Sequence, residues 1–294
     1  MPKPARTREA APAAAPAEEA DEWQSGQFNM RREVQIRVGG ETMIISQDSN
    51  SSDCGTVLWE VAVIWARLLD AGALPDLAAD KIAGRRILEL GAGCGVAGMA
   101  LALRGARVTF TDLPALVPHL EANVRRNLGA RDFDVVGFDW SLEYPPRLVD
   151  QAFDLVLATD CVYHAHLVKP LLRALVQCCS KQTTLILVHE RRDEDVLAEF
   201  ESVLRKLFRV RQTASPAALR RALGDDVHDA LLVRDHAGDG SRDTAWLTML
   251  TCKVRPTTTP AALEKLLAAS APSADAPPPA DAPPSDEPST PPPL

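Results

Sequence analysis

The sequence has no basic excess. Its 294 residues carry a formal charge of −8, much of it in the terminal stretches, which leaves a mildly acidic middle. A general nucleic-acid binder needs the opposite sign across its surface. The six cysteines, at positions 54, 94, 161, 178, 179 and 252, include no C-x-x-C pair and no histidine at zinc-ligand spacing. The expectation is therefore no metal, with reduced thiols in a cytoplasmic or nuclear protein. No apolar run approaches the ~18–20 residues of a membrane span, and the N-terminus lacks the apolar core of a secretory leader. Lys3, Arg6 and Arg8 lie among alanines, which keeps an organellar leader open, although serine is missing there and acids soon follow. No internal repeat is visible.

Proline is scarce where it matters. Of the 23 prolines, four fall in residues 1–22 and twelve in 256–294, leaving seven for the 233 residues between. The two ends are Ala/Pro mixtures with few large apolar side chains, and burial there cannot offset a backbone ordering cost of about 1–2 kcal/mol per residue. The expected organisation is a disordered tail at 1–22, one domain at 23–255 and a disordered Pro-rich tail at 256–294.

Within the domain, 34–38 and 42–46 are β-prone runs separated by Gly39-Gly40-Glu41, which reads as a hairpin. From Val57 to Leu69 the apolar residues recur at helical spacing, with Trp59, Val63, Ala66 and Leu69 on one face, and Pro75 closes the segment. Strand-like and helix-like segments then alternate. Strands are expected at 86–90, 107–111, 134–138, 153–158 and 183–189, with helices near 95–104, 114–128, 166–179 and 193–206. Strands at 208–213 and 246–252 follow, separated by a polar insertion at 214–245. Alternation of this kind predicts an α/β fold, a Rossmann-like and mostly parallel seven-stranded sheet with flanking helices.

The chemistry starts at Ile87-Leu88-Glu89-Leu90-Gly91-Ala92-Gly93-Cys94-Gly95, where an apolar strand runs into glycines and then a helix. Glycines there let the backbone turn sharply and approach a ligand at the positive end of a helix. Gly93-Cys94-Gly95-Val96-Ala97-Gly98 is formally the G-x-G-x-x-G of dinucleotide enzymes. Its register is wrong for that role, because counting from Gly91, the first glycine after the strand, puts Val96 where the third glycine belongs. Glu89 would repel a pyrophosphate, but it suits a cationic methionine moiety. Asp112 ends the next strand, where an acid can accept both hydrogen bonds of a ribose diol in NAD and S-adenosylmethionine enzymes alike. Its plain alternative is a helix cap.

Five ordered motifs make the resemblance specific: Gly55-x-x-x-Trp59-Glu60, the glycine turn, Asp112-Leu113-Pro114, Asp139-Trp140, and Ala158-Thr159-Asp160-Cys161-Val162-Tyr163. Over roughly residues 30–213 the chain resembles the methyltransferase-like 21 group of protein-lysine methyltransferases, in family 16 of the seven-β-strand methyltransferases. The resemblance implies S-adenosylmethionine as cofactor, with Trp59, Gly91, Ala92, Gly93, Asp112, Trp140 and Ala158 on cofactor-contacting positions. It places Asp160 and Tyr163 on the D-x-x-Y motif that lines the target-lysine channel. From the residues themselves, Asp139 can bond the adenine amino group while the Trp140 indole covers the ring.

The activity so implied is methyl transfer to a lysine amine of a non-histone protein, by a monomer without membrane attachment. The substrate classes known for the group are chaperones, an AAA ATPase and a translation elongation factor. Glu60 departs from the usual aspartate, and the 214–245 insertion is longer than expected. Two other readings compete. A nucleic-acid base methyltransferase often carries D/N-P-P-Y/F, whose prolines stiffen a loop against a flipped base, whereas Cys161-Val162 stand at those positions. A noncatalytic client-binding scaffold would not need Glu89, Asp112, Asp160 and Tyr163 together. Trp59 and Trp140 as core aromatics, Asp160 as a helix cap and Tyr163 as a buried ring are the plain alternatives. His189-Glu190-Arg191-Arg192 is expected near the same rim and reads as a solvated helix entry with Asp193 as N-cap.

Overall fold

A computed structural model describes residues 32–51, 53–149, 151–212 and 247–269. The 214–245 insertion and the 1–22 tail lie outside the described residues. The domain is built on a seven-stranded sheet with the order β5-β4-β3-β6-β7-β9-β8. Its strands are β3 (Arg86–Leu90), β4 (Arg107–Asp112), β5 (Phe133–Gly137), β6 (Leu155–Thr159), β7 (Thr184–Glu190), β8 (Phe208–Gln212) and β9 (Leu247–Val254). Pairing is parallel from β5 through β7, and β9 runs antiparallel to both β7 and β8.

Helices cover both faces of the sheet, which is why its central strands are mostly apolar, with Glu89 in β3 a buried exception. On one face lie α1 (Glu60–Asp70), α3 (Val96–Ala102) and α4 (Val117–Leu128), packed with Trp65, Ile64, Met99 and Leu120 against Ile87 and Phe110; the one-turn α2 (Ala79–Ile82) precedes β3. On the other lie α5 (Ala165–Cys178) and α6 (Glu194–Leu207), whose Leu172 and Phe200 join one core with Leu88 and Val156, and α7 (Pro260–Ala269), which packs on α5 and α6.

The hairpin forms from β1 (Glu33–Val38) and β2 (Glu41–Ser46), which pair with each other and form a sheet of their own. Its turn has two residues, Gly39 (φ +60) and Gly40 (φ +82), and Glu41 already pairs with Val38. Two left-handed residues in succession match the twist of a tight hairpin. The outer edge of β2 is held by α4: Asn127 exchanges hydrogen bonds with Ile44 N and O (2.7 and 2.9 Å), and Asn123 does the same with Ser46 (2.8 and 3.0 Å).

One expectation needs correcting. Part of the 256–294 stretch expected as a disordered Pro-rich tail is a helix, α7, which docks in the groove between α5 and α6. Leu263 and Leu267 are buried there, and Arg173 grips Glu264 through two hydrogen bonds of 2.7 and 2.8 Å. Leucines at 263, 266 and 267 make a short apolar stripe that the surrounding alanines and prolines obscure.

The topology determines where a ligand site forms. The chain starts mid-sheet at β3, moves outward through β4 and β5, and returns to β6 on the other side of β3. Open α/β sheets bind ligands at the carboxyl ends of strands where this reversal occurs. Leu90 pairs with Ala158, so the glycine turn after β3 and the Asp160 loop after β6 emerge side by side.

Candidate active site

Three glycines shape the turn after β3. Gly91, Gly93 and Gly95 all have positive φ (62°, 54° and 83°), a region that side chains with a Cβ enter at a cost of roughly 1–2 kcal/mol. At Gly91 space forbids a side chain as well, since a Cβ would sit 2.8 Å from Cys161 Sγ and 3.1 Å from the Trp140 ring. Three N–H groups of the turn are committed within the chain. Ala92 donates to Thr111 O (2.9 Å), Gly93 to Asp112 Oδ2 (2.7 Å) and Gly95 to Ala92 O (2.8 Å). A dinucleotide or phosphate loop keeps such donors for its ligand. Here Ala92, Gly93 and Gly95 spend theirs internally, which disfavours a pyrophosphate as the register of the glycines also does.

Beside the turn lies a small open cleft lined by Val57, Leu58, Trp59, Ala62, the 91–94 turn, Val96, Thr159 and Asp160. Trp59 is the N-cap residue of α1 and donates Nε1–H to Cys54 O at 2.9 Å, which fixes the indole as one wall. Asp112 closes the end of β4. Its two oxygens accept from Gly93 N and Leu113 N, burial raises its pKa, and these two N–H bonds oppose the rise. It does not cap α4, which begins later, at Val117.

Asp160 is the only non-glycine with positive φ (58°) among the described residues. It is buried at the mouth of β6, its N–H donating to Val188 O at 2.6 Å. Helix α5 starts after His164, so Asp160 is not that helix's cap. Its Oδ2 meets Arg192 Nη2 at 2.6 Å, and its Oδ1 accepts from Glu190 N at 3.3 Å. Burial raises its pKa, while the Arg192 charge and the Glu190 N–H favour the ionised form. Tyr163 is half-buried one turn of loop further on, against His164 (ring centroids 4.9 Å apart), and burial lifts its hydroxyl to about 12. It therefore stays a neutral phenol at physiological pH.

Of the remaining expected residues, Ala158 is buried beside Leu90 on the neighbouring strand and is not among the residues lining the cleft. Asp139 Oδ1 accepts from Ser141 N at 2.8 Å, forming a local turn that sets Trp140 against Gly91. The Trp140 Nε1–H is buried without a partner, as a group positioned for a ligand atom would be. Glu89 differs from expectation. It points away from the cleft, beneath the turn: Oε2 accepts from Gly98 N at 3.0 Å, Oε1 has no partner, and a Cβ at Gly98 would lie 2.2 Å from Oε2. Strand alternation puts Glu89 on the α3 side together with Ile87, and burial raises its pKa to about 8. There it seats α3 through the Gly98 N–H, and its second oxygen stays unpaired.

The 189–192 segment also departs from the reading. His189 is not at the rim. It is buried in β7 against Phe200, and burial lowers its pKa to about 4. Asp193 does cap α6, accepting from Asp195 N and Val196 N at 3.0 Å each. Arg192 instead folds back over the Trp59 ring (4.6 Å to the centroid), and it also bonds Glu190 Oε2 at 2.8 Å. No sequence signal separated Arg192 from its solvated neighbour Arg191.

Residues 38–206 match the family described as lysine methyltransferase. The chain is 32% identical over 176 residues to the zebrafish (Danio rerio) protein N-lysine methyltransferase METTL21A, covering 57% of this chain and 75% of that protein. It is 29% identical over 176 residues to EEF1A lysine methyltransferase 3 of Xenopus tropicalis, covering 55% and 77%. Among solved structures, the 16S rRNA N2 G1207 methyltransferase RsmC of T. thermophilus superposes with a TM-score of 0.50 at 17% identity, covering 76% of this chain and 50% of that one. That likeness speaks for the fold.

Proposed function

The chain belongs to the lysine methyltransferase family, within its methyltransferase-like 21 group, and from that premise we propose that it methylates the side-chain amine of a lysine in a non-histone protein. It is an S-adenosylmethionine-dependent protein-lysine N-methyltransferase. One observation carries the assignment of the site: the glycine turn and the buried Asp160 carboxylate open onto one cleft at the reversal point of the sheet.

The residues present fit the cofactor. Three of the turn's N–H groups are spent internally, and Asp112 sits at the β4 end where an acid meets a ribose. The Trp140 N–H is buried and unpaired, and the Trp59 face already receives a cation. Gly91, Ala92, Gly93, Asp112, Asp139 and Trp140 would hold the cofactor, with Trp59 closing the cleft. When bound, S-adenosylmethionine supplies an electrophilic methyl group on a sulfonium.

The chain's own residues must then deliver and align a neutral amine. A free lysine has a pKa near 10.4 and arrives mostly as ammonium. Asp160, lining the cleft, attracts and orients it, while Trp59 and Tyr163 strip water from its stem. Removing that water favours the neutral amine, because desolvation penalises the charged form. Alignment of this kind supplies much of the rate in a displacement that needs little acid–base help.

The substrate classes of this group, chaperones, an AAA ATPase and a translation factor, are the candidates for the client. Six cysteines without disulfides support a cytoplasmic or nuclear setting. The test is to incubate the protein with methyl-labelled cofactor and cell lysate, then locate the label by mass spectrometry. We expect it on lysine in a discrete protein band that Asp160→Ala leaves unlabelled, with cofactor affinity nearly unchanged. Label confined to RNA or small metabolites overturns the reading. Equal loss of labelling and cofactor affinity overturns the role of Asp160.

A further inference from the structure

Asp160 already has a cation. Arg192 reaches its Oδ2 at 2.6 Å, shares Glu190 Oε2 at 2.8 Å and lies 4.6 Å above the Trp59 ring centroid. Two carboxylates and an aromatic face are the elements that recognise an alkylammonium as readily as a guanidinium. Asp160 and Glu190 are largely buried, with side-chain exposures of 6% and 12%, whereas Arg192 keeps 30%. The pocket is therefore formed by the fixed partners. Arg192 is the more accessible member, on a loop between β7 and the capped start of α6.

Resting on the lysine-methylating reading above, we propose that Arg192 is an internal stand-in for the substrate lysine, which the incoming ammonium must displace from Asp160 and the Trp59 face. The residue sets acceptor affinity in two ways. Its charge keeps the buried Asp160 in a form that attracts cations, so the resting site does not hold an uncompensated buried acid. Its occupancy also imposes a threshold, since an amine enters only if its surrounding sequence supplies enough binding to offset the lost Arg192 bonds. A free lysine or a poorly matched peptide does not meet that threshold. Such competition is a form of specificity by exclusion.

The alternative is that Arg192 stays in place and only positions Asp160. The two differ in binding, apart from any turnover. The probe is n-butylammonium, a mimic of the lysine side chain, titrated at pH 8 by calorimetry into the full chain, its Arg192→Gln and Arg192→Lys variants, and Asp160→Asn.

Displacement predicts weak binding to the unmodified protein, at least tenfold tighter binding to Arg192→Gln, an intermediate value for Arg192→Lys, and none to Asp160→Asn. Equal or weaker binding to Arg192→Gln overturns the proposal and leaves Arg192 a positioning residue. S-adenosylhomocysteine affinity, measured alongside and expected within twofold for all four proteins, shows that each is folded. If Arg192→Gln loses that affinity, Arg192→Lys carries the test, and binding no tighter than to the unmodified protein overturns the proposal. The lysate labelling is independent, so a failed lysine-methylation reading with the predicted butylammonium series is distinguishable from the reverse.

Discussion

Glu89→Gln should stabilise the protein, and increasingly so as pH rises. Glu89 is fully buried under the glycine turn, and burial lifts its pKa from 4.5 to about 8. Between these two values the unfolded chain has released the proton and the folded chain still holds it. The folded state thus binds more protons, and stability falls as pH increases through this window, at up to about 1.4 kcal/mol per pH unit. This part of the stability is fully present below the unfolded value and is lost as pH approaches 8. Glutamine mimics the protonated acid, its amide oxygen accepts from Gly98 N as Oε2 does, and it has no proton to release. Integrating the linkage from pH 5 to 7 gives an advantage that grows by roughly 2–3 kcal/mol. Urea unfolding of both proteins, followed by circular dichroism at pH 5, 6, 7 and 8, isolates the effect, because groups common to the two cancel. A difference that stays flat across this range, or that shrinks with rising pH, would refute both the burial of an acid here and its protonated resting form.

Three further outcomes follow from the geometry. Gly91→Ala, with positive φ and a Cβ driven against Cys161 and Trp140, should weaken S-adenosylhomocysteine binding at least tenfold by calorimetry; Gly72→Ala, with similar φ but open space, should lose only about 1 kcal/mol of stability and keep its affinity. Leu263→Ala should lower unfolding free energy by about 2–4 kcal/mol if α7 belongs to the domain, and an unchanged urea midpoint would return it to the tail. Removing the α6 cap with Asp193→Ala should cost about 1 kcal/mol, again by urea unfolding, without altering cofactor affinity.

What was legible in the sequence was what local pattern encodes. All seven sheet strands fall within two residues of their expected bounds; the signal is strongest in β3, β6 and β7, where short, mostly apolar runs between turns mark strands buried on both faces. The glycine turn was readable for the same reason, as was the Asp193 cap. Side-chain direction was less accessible. Glu89 was read as facing a ligand, yet strand alternation sends it with Ile87 into the α3 layer, and neither the motif nor the charge reveals which side of the turn the cofactor takes. Arg192 could not be told from Arg191, since its partners Trp59 and Asp160 lie 133 and 32 positions away. Helix α7 was hidden by averaging, its three leucines diluted over a Pro-rich stretch.

The two asparagines of α4 act as a strand that the chain does not have. An amide side chain carries one donor and one acceptor in the arrangement of a peptide group, and Asn123 and Asn127, one helical turn apart, present two such groups at the repeat of β2. A stray β-strand arriving at Ile44 or Ser46 finds both registers already taken, so the hairpin is closed to recruitment along that margin. Replacing either asparagine with leucine would keep the helix and reopen the margin, making self-association of the hairpin, and not loss of fold, the failure to look for.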